Sequence, residues 1–199
     1  MEPRKRSTII IILLIVICIV FAYFYLSYRE EKIQREREVE YEKLYPSLGI
    51  QRVDPPEEAE DFTLKTLKGG TVSLKDYRGR LIFLNFWATW CGPCRAEMPS
   101  MQRLWEEFKE EDFVILAINI QEESKLVSSF MNERGLSFPV LLDEKGKVAR
   151  SYGIRGIPTT FFLNPEGEII GKAVGARDWA SKESFQLIEE LLFEALLGG

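Results

Sequence analysis

The chain has 199 residues, of which 46% are hydrophobic and 29% charged, enough apolar material for one packed domain with an appendage. Its formal net charge is −5; Arg4, Lys5 and Arg6 against Glu2 put +2 on residues 1–28 and leave −7 on the rest. An acidic body argues against a nucleic-acid partner, and the absence of histidine removes mixed Cys/His zinc sites and histidine-dependent haem attachment.

Ile9 to Leu26 carries no charge and is dominated by Ile, Leu, Val and Phe. With its polar ends it approaches the ~20 residues a helix needs to cross a bilayer. Tyr23, Tyr25 and Tyr28 mark the distal interface, and Arg4-Lys5-Arg6 precede the span, so the positive-inside rule keeps residues 1–7 in the cytoplasm and sends the remainder outside. Phe21-Ala22-Tyr23-Phe24-Tyr25 offers no small-residue cleavage site, which favours an uncleaved anchor over residues 8–28 against a signal peptide. Cys18 lies within that span, away from the other two cysteines.

Arg29 to Lys43 mixes both signs of charge, and Glu31 and Arg35 make an i,i+4 pair, the pattern of a solvated helical stalk. Pro46, Gly49 and Asp54-Pro55-Pro56-Glu57-Glu58 read as a linker, giving a stalk-plus-linker over 29–55 and a domain over 56–199. Phe62–Lys65 and Val72–Leu74 alternate about Lys68-Gly69-Gly70 as a hairpin. Leu81 onward is a buried strand, 113–119 a second, and Ser124 to Arg134 a helix stopped by Gly135. Val140–Leu142 predicts a short strand and Val148–Tyr152 a short helix. Thr159–Leu163 and Ile169–Val174 flank Asn164-Pro165-Glu166-Gly167 as another hairpin, and Ser181 opens a last amphipathic helix. The order predicts a mixed α/β sheet with helices on both faces.

The chemistry concentrates where the strand from Leu81 meets the helix carrying Met98, Met101, Leu104, Trp105 and Phe108 on one face. Cys91 and Cys94 sit at that junction. A helix amino terminus presents unpaired N–H groups and partial positive charge, which favour a thiolate. The i,i+3 spacing lets the two close a disulfide across one turn, and Pro93 suits the first turn because its missing N–H has no helical partner there.

Trp90-Cys91-Gly92-Pro93-Cys94 after an apolar strand, with Gly156-Ile157-Pro158-Thr159 before a later one, resembles thioredoxin. The anchor, the Glu97-Met98-Pro99 continuation and the insert between 120 and 150 resemble more closely the extracytoplasmic ResA/TlpA/CcmG group. The resemblance covers about residues 57–197. It implies a thioredoxin-like fold with an added N-terminal hairpin and a central insert, preceded by one transmembrane helix. It implies no cofactor other than a redox-active Cys91–Cys94 disulfide. Cys91 is then the nucleophile and Cys94 the resolving thiol. Pro158 is a cis-proline that presents the backbone of Ile157 to an extended substrate, with Trp90, Gly92 and Pro93 on the rim. Asn85 stands where thioredoxin has a buried aspartate, and Glu97 matches a ResA-type glutamate expected to accept the proton of Cys94; a first-turn glutamate stabilised by the helix dipole alone is the plainer reading of that residue. Trp87 is expected in the core, and the Asp178-Trp179 pair as a structural part.

The resemblance implies a membrane-tethered thiol–disulfide oxidoreductase that reduces specific clients, first an apocytochrome c disulfide and second a copper-site cysteine pair. A CcdA/DsbD-like membrane electron donor is the implied source of reducing equivalents. General extracytoplasmic oxidase or isomerase activity is the enzymatic alternative, and a non-catalytic tethered binding module the alternative of another class. Leu84 and Ala88 occupy the positions where a peroxiredoxin carries Pro and Thr, which argues against peroxidase chemistry.

Overall fold

The computed structural model describes residues 3–197, with side chains from 13 to 196. Met1 and Glu2, in the expected cytoplasmic segment, and the two terminal glycines lie outside the described residues. The chain divides into two compact units, Met1–Lys43 and Leu44–Gly199.

The expected anchor and stalk belong to a single helix, α1 (Pro3–Ser47), of 45 residues. Its described apolar part has a mean hydropathy of 1.7 and none of it is buried, so it is long and apolar enough to span a bilayer. The charged stretch continues the same helix, with ion pairs of 3.8 Å between Lys32 and Glu36 and 3.5 Å between Lys43 and Glu40. Such exposed pairs add little stability.

The second unit is built on an eight-stranded mixed sheet in the order β1-β8-β7-β4-β5-β6-β2-β3. Its centre is β4 (Leu81–Trp87), buried at every position. It runs parallel to β5 (Phe113–Ile120) and antiparallel to β7 (Thr159–Leu163). Burial on both faces explains why β4 and β5 read as continuous apolar runs rather than alternating ones. The predicted hairpins are β2 (Thr63–Thr66) with β3 (Thr71–Ser73), and β7 with β8 (Glu168–Val174). Gly167 closes the second at φ +78°, a left-handed conformation that favours glycine, with the Arg78 guanidinium packed against the place a Cβ would take. The first hairpin joins the sheet through β6 (Val140–Asp143), so the added hairpin and the central insert support one another.

One expectation is corrected. The stretch from Ile50 to Glu58, read in large part as linker, is strand β1, paired antiparallel to β8 at the sheet edge. Its two prolines lie where the register shifts between Arg52 and Glu57, and the Asp54–Pro55 bond is cis. An edge strand with a bulge is the one place in a sheet that tolerates missing N–H donors.

The helices are α2 (Gly92–Phe108), α3 (Ser124–Glu133), α4 (Lys147–Ser151) and α5 (Lys182–Leu197). Phe83 of β4 meets Trp179, just before α5, ring edge to face at 4.8 Å, and Trp87 meets Phe130 of α3 at 5.4 Å. On the opposite face Ile82, Leu84 and Phe86 share a core with Val148 and Ala149 of α4. Each fully buried Phe or Leu there is worth roughly 1.5–3 kcal/mol, and the result is a rigid strand whose carboxyl end carries the cysteines.

Candidate active site

β4 ends at Trp87, and the loop Ala88–Trp90 delivers Cys91 to the N-cap of α2. Cys91 and Cys94 form a disulfide with a Cα–Cα distance of 5.3 Å. The Cys91 Sγ accepts the Cys94 backbone N–H at 3.2 Å, so the sulfur lies at the positive end of the helix. Cys91 keeps 5% exposure and Cys94 none. Attack from outside therefore has access to Cys91 alone. Trp90 is 66% exposed beside it, Gly92 and Pro93 are exposed in the first turn, and Trp87 is core, as expected.

The Ile157–Pro158 bond is cis. The Ile157 carbonyl oxygen stands 3.7 Å from the Cys91 Sγ, so the two segments recognised separately in the sequence meet at the reacting sulfur. Ile157 is half-buried and Pro158 buried.

Glu97 is 2% exposed, one turn further along α2. Its carboxylate accepts from the Asn85 side-chain amide at 3.1 Å, the Trp179 indole N–H at 3.1 Å and the Arg177 backbone N–H at 3.3 Å. Burial pushes the carboxyl up to about 7, against the opposing pull of those bonds and of the Arg177 charge. A carboxyl with that affinity holds or releases a proton at neutral pH. Asn85, placed by β4 opposite Thr160 of β7, also donates to the Thr160 hydroxyl at 3.0 Å. The position taken by aspartate in thioredoxin here serves to hold the glutamate.

Two participants were not foreseen. Trp179, expected as purely structural, donates to Glu97 across 82 positions of sequence. Glu122, buried at 9% exposure, grips the cysteine loop. It accepts the Thr89 backbone N–H at 2.7 Å, the Thr89 hydroxyl, and the Asn119 amide at 2.7 Å. The preceding residue, Gln121, adopts φ +59°, uncommon for a residue with a Cβ. Arg95 reinforces the same loop by donating to the Thr89 carbonyl at 3.1 Å.

Residues 55–172 match the AhpC/TSA family. The chain belongs to that family. It is 40% identical over 129 residues to the thiol-disulfide oxidoreductase ResA of Halalkalibacterium halodurans, covering 65% of this chain and 73% of the relative. To ResA of Bacillus subtilis it is 37% identical over 127 residues, covering 64% and 71%. Among solved structures it is similar to a thiol:disulfide interchange protein of the thioredoxin family from Chlorobium tepidum, with a TM-score of 0.61, 30% identity and coverage of 70% and 99%. It is also similar to StoA from Bacillus subtilis, with a TM-score of 0.56, 29% identity and coverage of 64% and 96%. The chain is thus a ResA-like thiol–disulfide oxidoreductase with a thioredoxin-like fold, a C-x-x-C disulfide and a long apolar N-terminal helix.

Proposed function

We propose that this oxidoreductase is a membrane-tethered reductant working outside the cytoplasm, with α1 as an uncleaved anchor whose Arg4-Lys5-Arg6 end stays inside. In the forward reaction the Cys91 thiolate attacks one sulfur of a client disulfide. That S–S bond breaks, a mixed disulfide forms, and the client's other sulfur leaves as a thiolate. Glu97 takes the proton of Cys94, whose sulfur then attacks the Cys91 Sγ and expels the client's second thiolate. Two electrons pass to the client, and the Cys91–Cys94 disulfide remains. Trp90, Gly92, Pro93, Ile157 and Pro158 form the surface on which an extended client segment lies. The observation that carries the reading is the Cys91–Cys94 disulfide at the head of α2, its Cys91 Sγ 3.7 Å from the Ile157 carbonyl oxygen, with the buried carboxyl of Glu97, in the same helix, held by Asn85, Trp179 and Arg177.

The proposed client is the disulfide of an apocytochrome c awaiting haem, with a copper-site cysteine pair second. Because the compartment is oxidising, the dithiol is recharged through the membrane by a CcdA/DsbD-like donor. The test is to express Cys94→Ser in cells. The expected product is a dithiothreitol-sensitive adduct with an extracytoplasmic protein, cytochrome c foremost. No adduct, together with full function of Cys91→Ser, sinks the enzyme reading. A potential well above ~ −200 mV overturns the direction assigned to it.

A further inference from the structure

Beside the cis-proline lies a cleft of about 420 Å3 that the mechanism above does not use, bordered by Tyr152, Ile154, Arg155, Gly156, Lys172 and Val174 among others. Its only charged lining residues are the two cations. Arg155 is exposed and no carboxylate among the described residues pairs with it or with Lys172. The Lys172 ammonium is held 5.1 Å over the Phe161 ring, an arrangement that fixes its position without neutralising it. The acids on the far side are at the hydroxyl end of Tyr152, Glu60 and Asp61, and Asp61 is taken by Lys75 at 3.1 Å. A positive cleft is thus set in a body carrying −7 beyond residue 28. The apolar part of its rim is not hidden either, since Val174 is 62% exposed.

The cleft borders the chain segment that leads to the reacting sulfur. Gly156 borders it and precedes Ile157, whose carbonyl oxygen is 3.7 Å from the Cys91 Sγ. Arg155 lies two residues before Ile157. A client strand lying along this segment advances ~3.3 Å per residue, so the client side chain that reaches Arg155 sits two or three positions from the attacked cysteine. A guanidinium and an ammonium that border the same cleft make it suited to a carboxylate, which Arg can bind through two parallel hydrogen bonds.

We propose that the Arg155–Lys172 cleft is a specificity site that selects clients carrying an Asp or Glu two or three residues from the attacked cysteine. The proposal rests on the oxidoreductase reading and adds the chemistry of the client segment to it. The carboxylate takes no part in the exchange of sulfurs; it raises the occupancy of the docked state and so acts through KM.

The test uses the reduced full chain in detergent and two synthetic disulfide peptides that differ only by Glu against Gln two residues from the cysteine. The Glu peptide is expected to show a kcat/KM about five- to ten-fold higher at low salt, carried by KM, the scale of a carboxylate meeting two partly exposed cations. The ratio should shrink in ~0.5 M salt as charges are screened. In Arg155→Gln with Lys172→Gln the Glu peptide should fall to the level of the Gln peptide, and Arg155→Glu alone should reverse the order. Arg155→Glu serves as the check should the change at the half-buried Lys172 disturb packing. Equal rates for the two peptides with the unaltered chain, or a ratio that survives both variants, overturns the specificity site while leaving the oxidoreductase reading intact. Failure to reduce either peptide overturns that reading, and the proposal with it.

Discussion

Two buried glutamates flank the cysteine turn, and they differ in what holds them. Glu97 takes three donors at 3.1 to 3.3 Å, one from β4 and two from the segment before α5, and burial outweighs them, so its carboxyl rises to about 7. Glu122 takes a backbone N–H and an amide at 2.7 Å each, with the Thr89 hydroxyl, and two of those three donors belong to the loop that carries Cys91. Long bonds to a deeply buried carboxyl leave it poised to exchange a proton. Short bonds to one loop make the other a clamp. The same side chain thus serves chemistry on one side of the turn and position on the other.

Changes that separate the two roles sharpen this contrast, and the largest effects belong to Glu97. Glu97→Gln should slow single-turnover reduction of a client disulfide by about 10²-fold, the lower end for a lost general base. It should also remove the rate's pH dependence near neutrality. The same residue governs stability. Its pKa is higher in the folded chain (about 7) than its ordinary 4.5, so the folded state binds the extra proton between those values. The contribution is fully present below pH ~4.5 and is lost as pH rises to ~7, a decline of about 3 kcal/mol. Denaturant titrations of the disulfide form at pH 4.5 and 8 should show that loss, and Glu97→Gln should abolish it.

Breaking the clamp comes next. Glu122→Ala leaves a backbone N–H, a hydroxyl and an amide without their acceptor, and should cost about 2 kcal/mol in a denaturant midpoint. Glu122→Gln should cost less than half as much. Its oxygen can take the Thr89 N–H and the Asn119 amide while its NH2 donates to the Thr89 hydroxyl. If the two variants lose equally, the charge and not the bonding of Glu122 matters, and the contrast with Glu97 fails. The smallest expected effect is that of Trp179→Phe. It deletes the donor that lowers the Glu97 pKa most among its hydrogen bonds, so the midpoint of the rate's pH profile should move upward with little change in the limiting rate.

What the sequence disclosed follows from how far apart the cooperating residues stand. The cysteine turn, its strand and its helix lie within one continuous stretch, and each hairpin is signalled by its own turn residues. Glu97 was within reach because its spacing from Cys91 and Cys94 is a helical one. Glu122 was not, since it meets Thr89 across 33 positions, and no local pattern marks a glutamate that follows a left-handed Gln121. Trp179 was visible as part of an Asp178-Trp179 pair before a helix and read as structural; its indole N–H finds Glu97 through the packing of α5 beside α2. β1 was hidden for another reason. Asp54-Pro55-Pro56-Glu57-Glu58 has the composition of a linker, and only the bulged edge position beside β8 makes a strand of it.

Transfer of the Cys94 proton depends on the protonation state of Glu97 at neutral pH. The direct measurement is a carbon-13 NMR titration of its carboxyl in the disulfide form of the detergent-solubilised full chain, assigned by comparison with Glu97→Gln. A midpoint near 7 is the predicted result. A midpoint in the ordinary carboxylate range near 4.5 contradicts it, and with it the role of Glu97 as the group that receives the Cys94 proton.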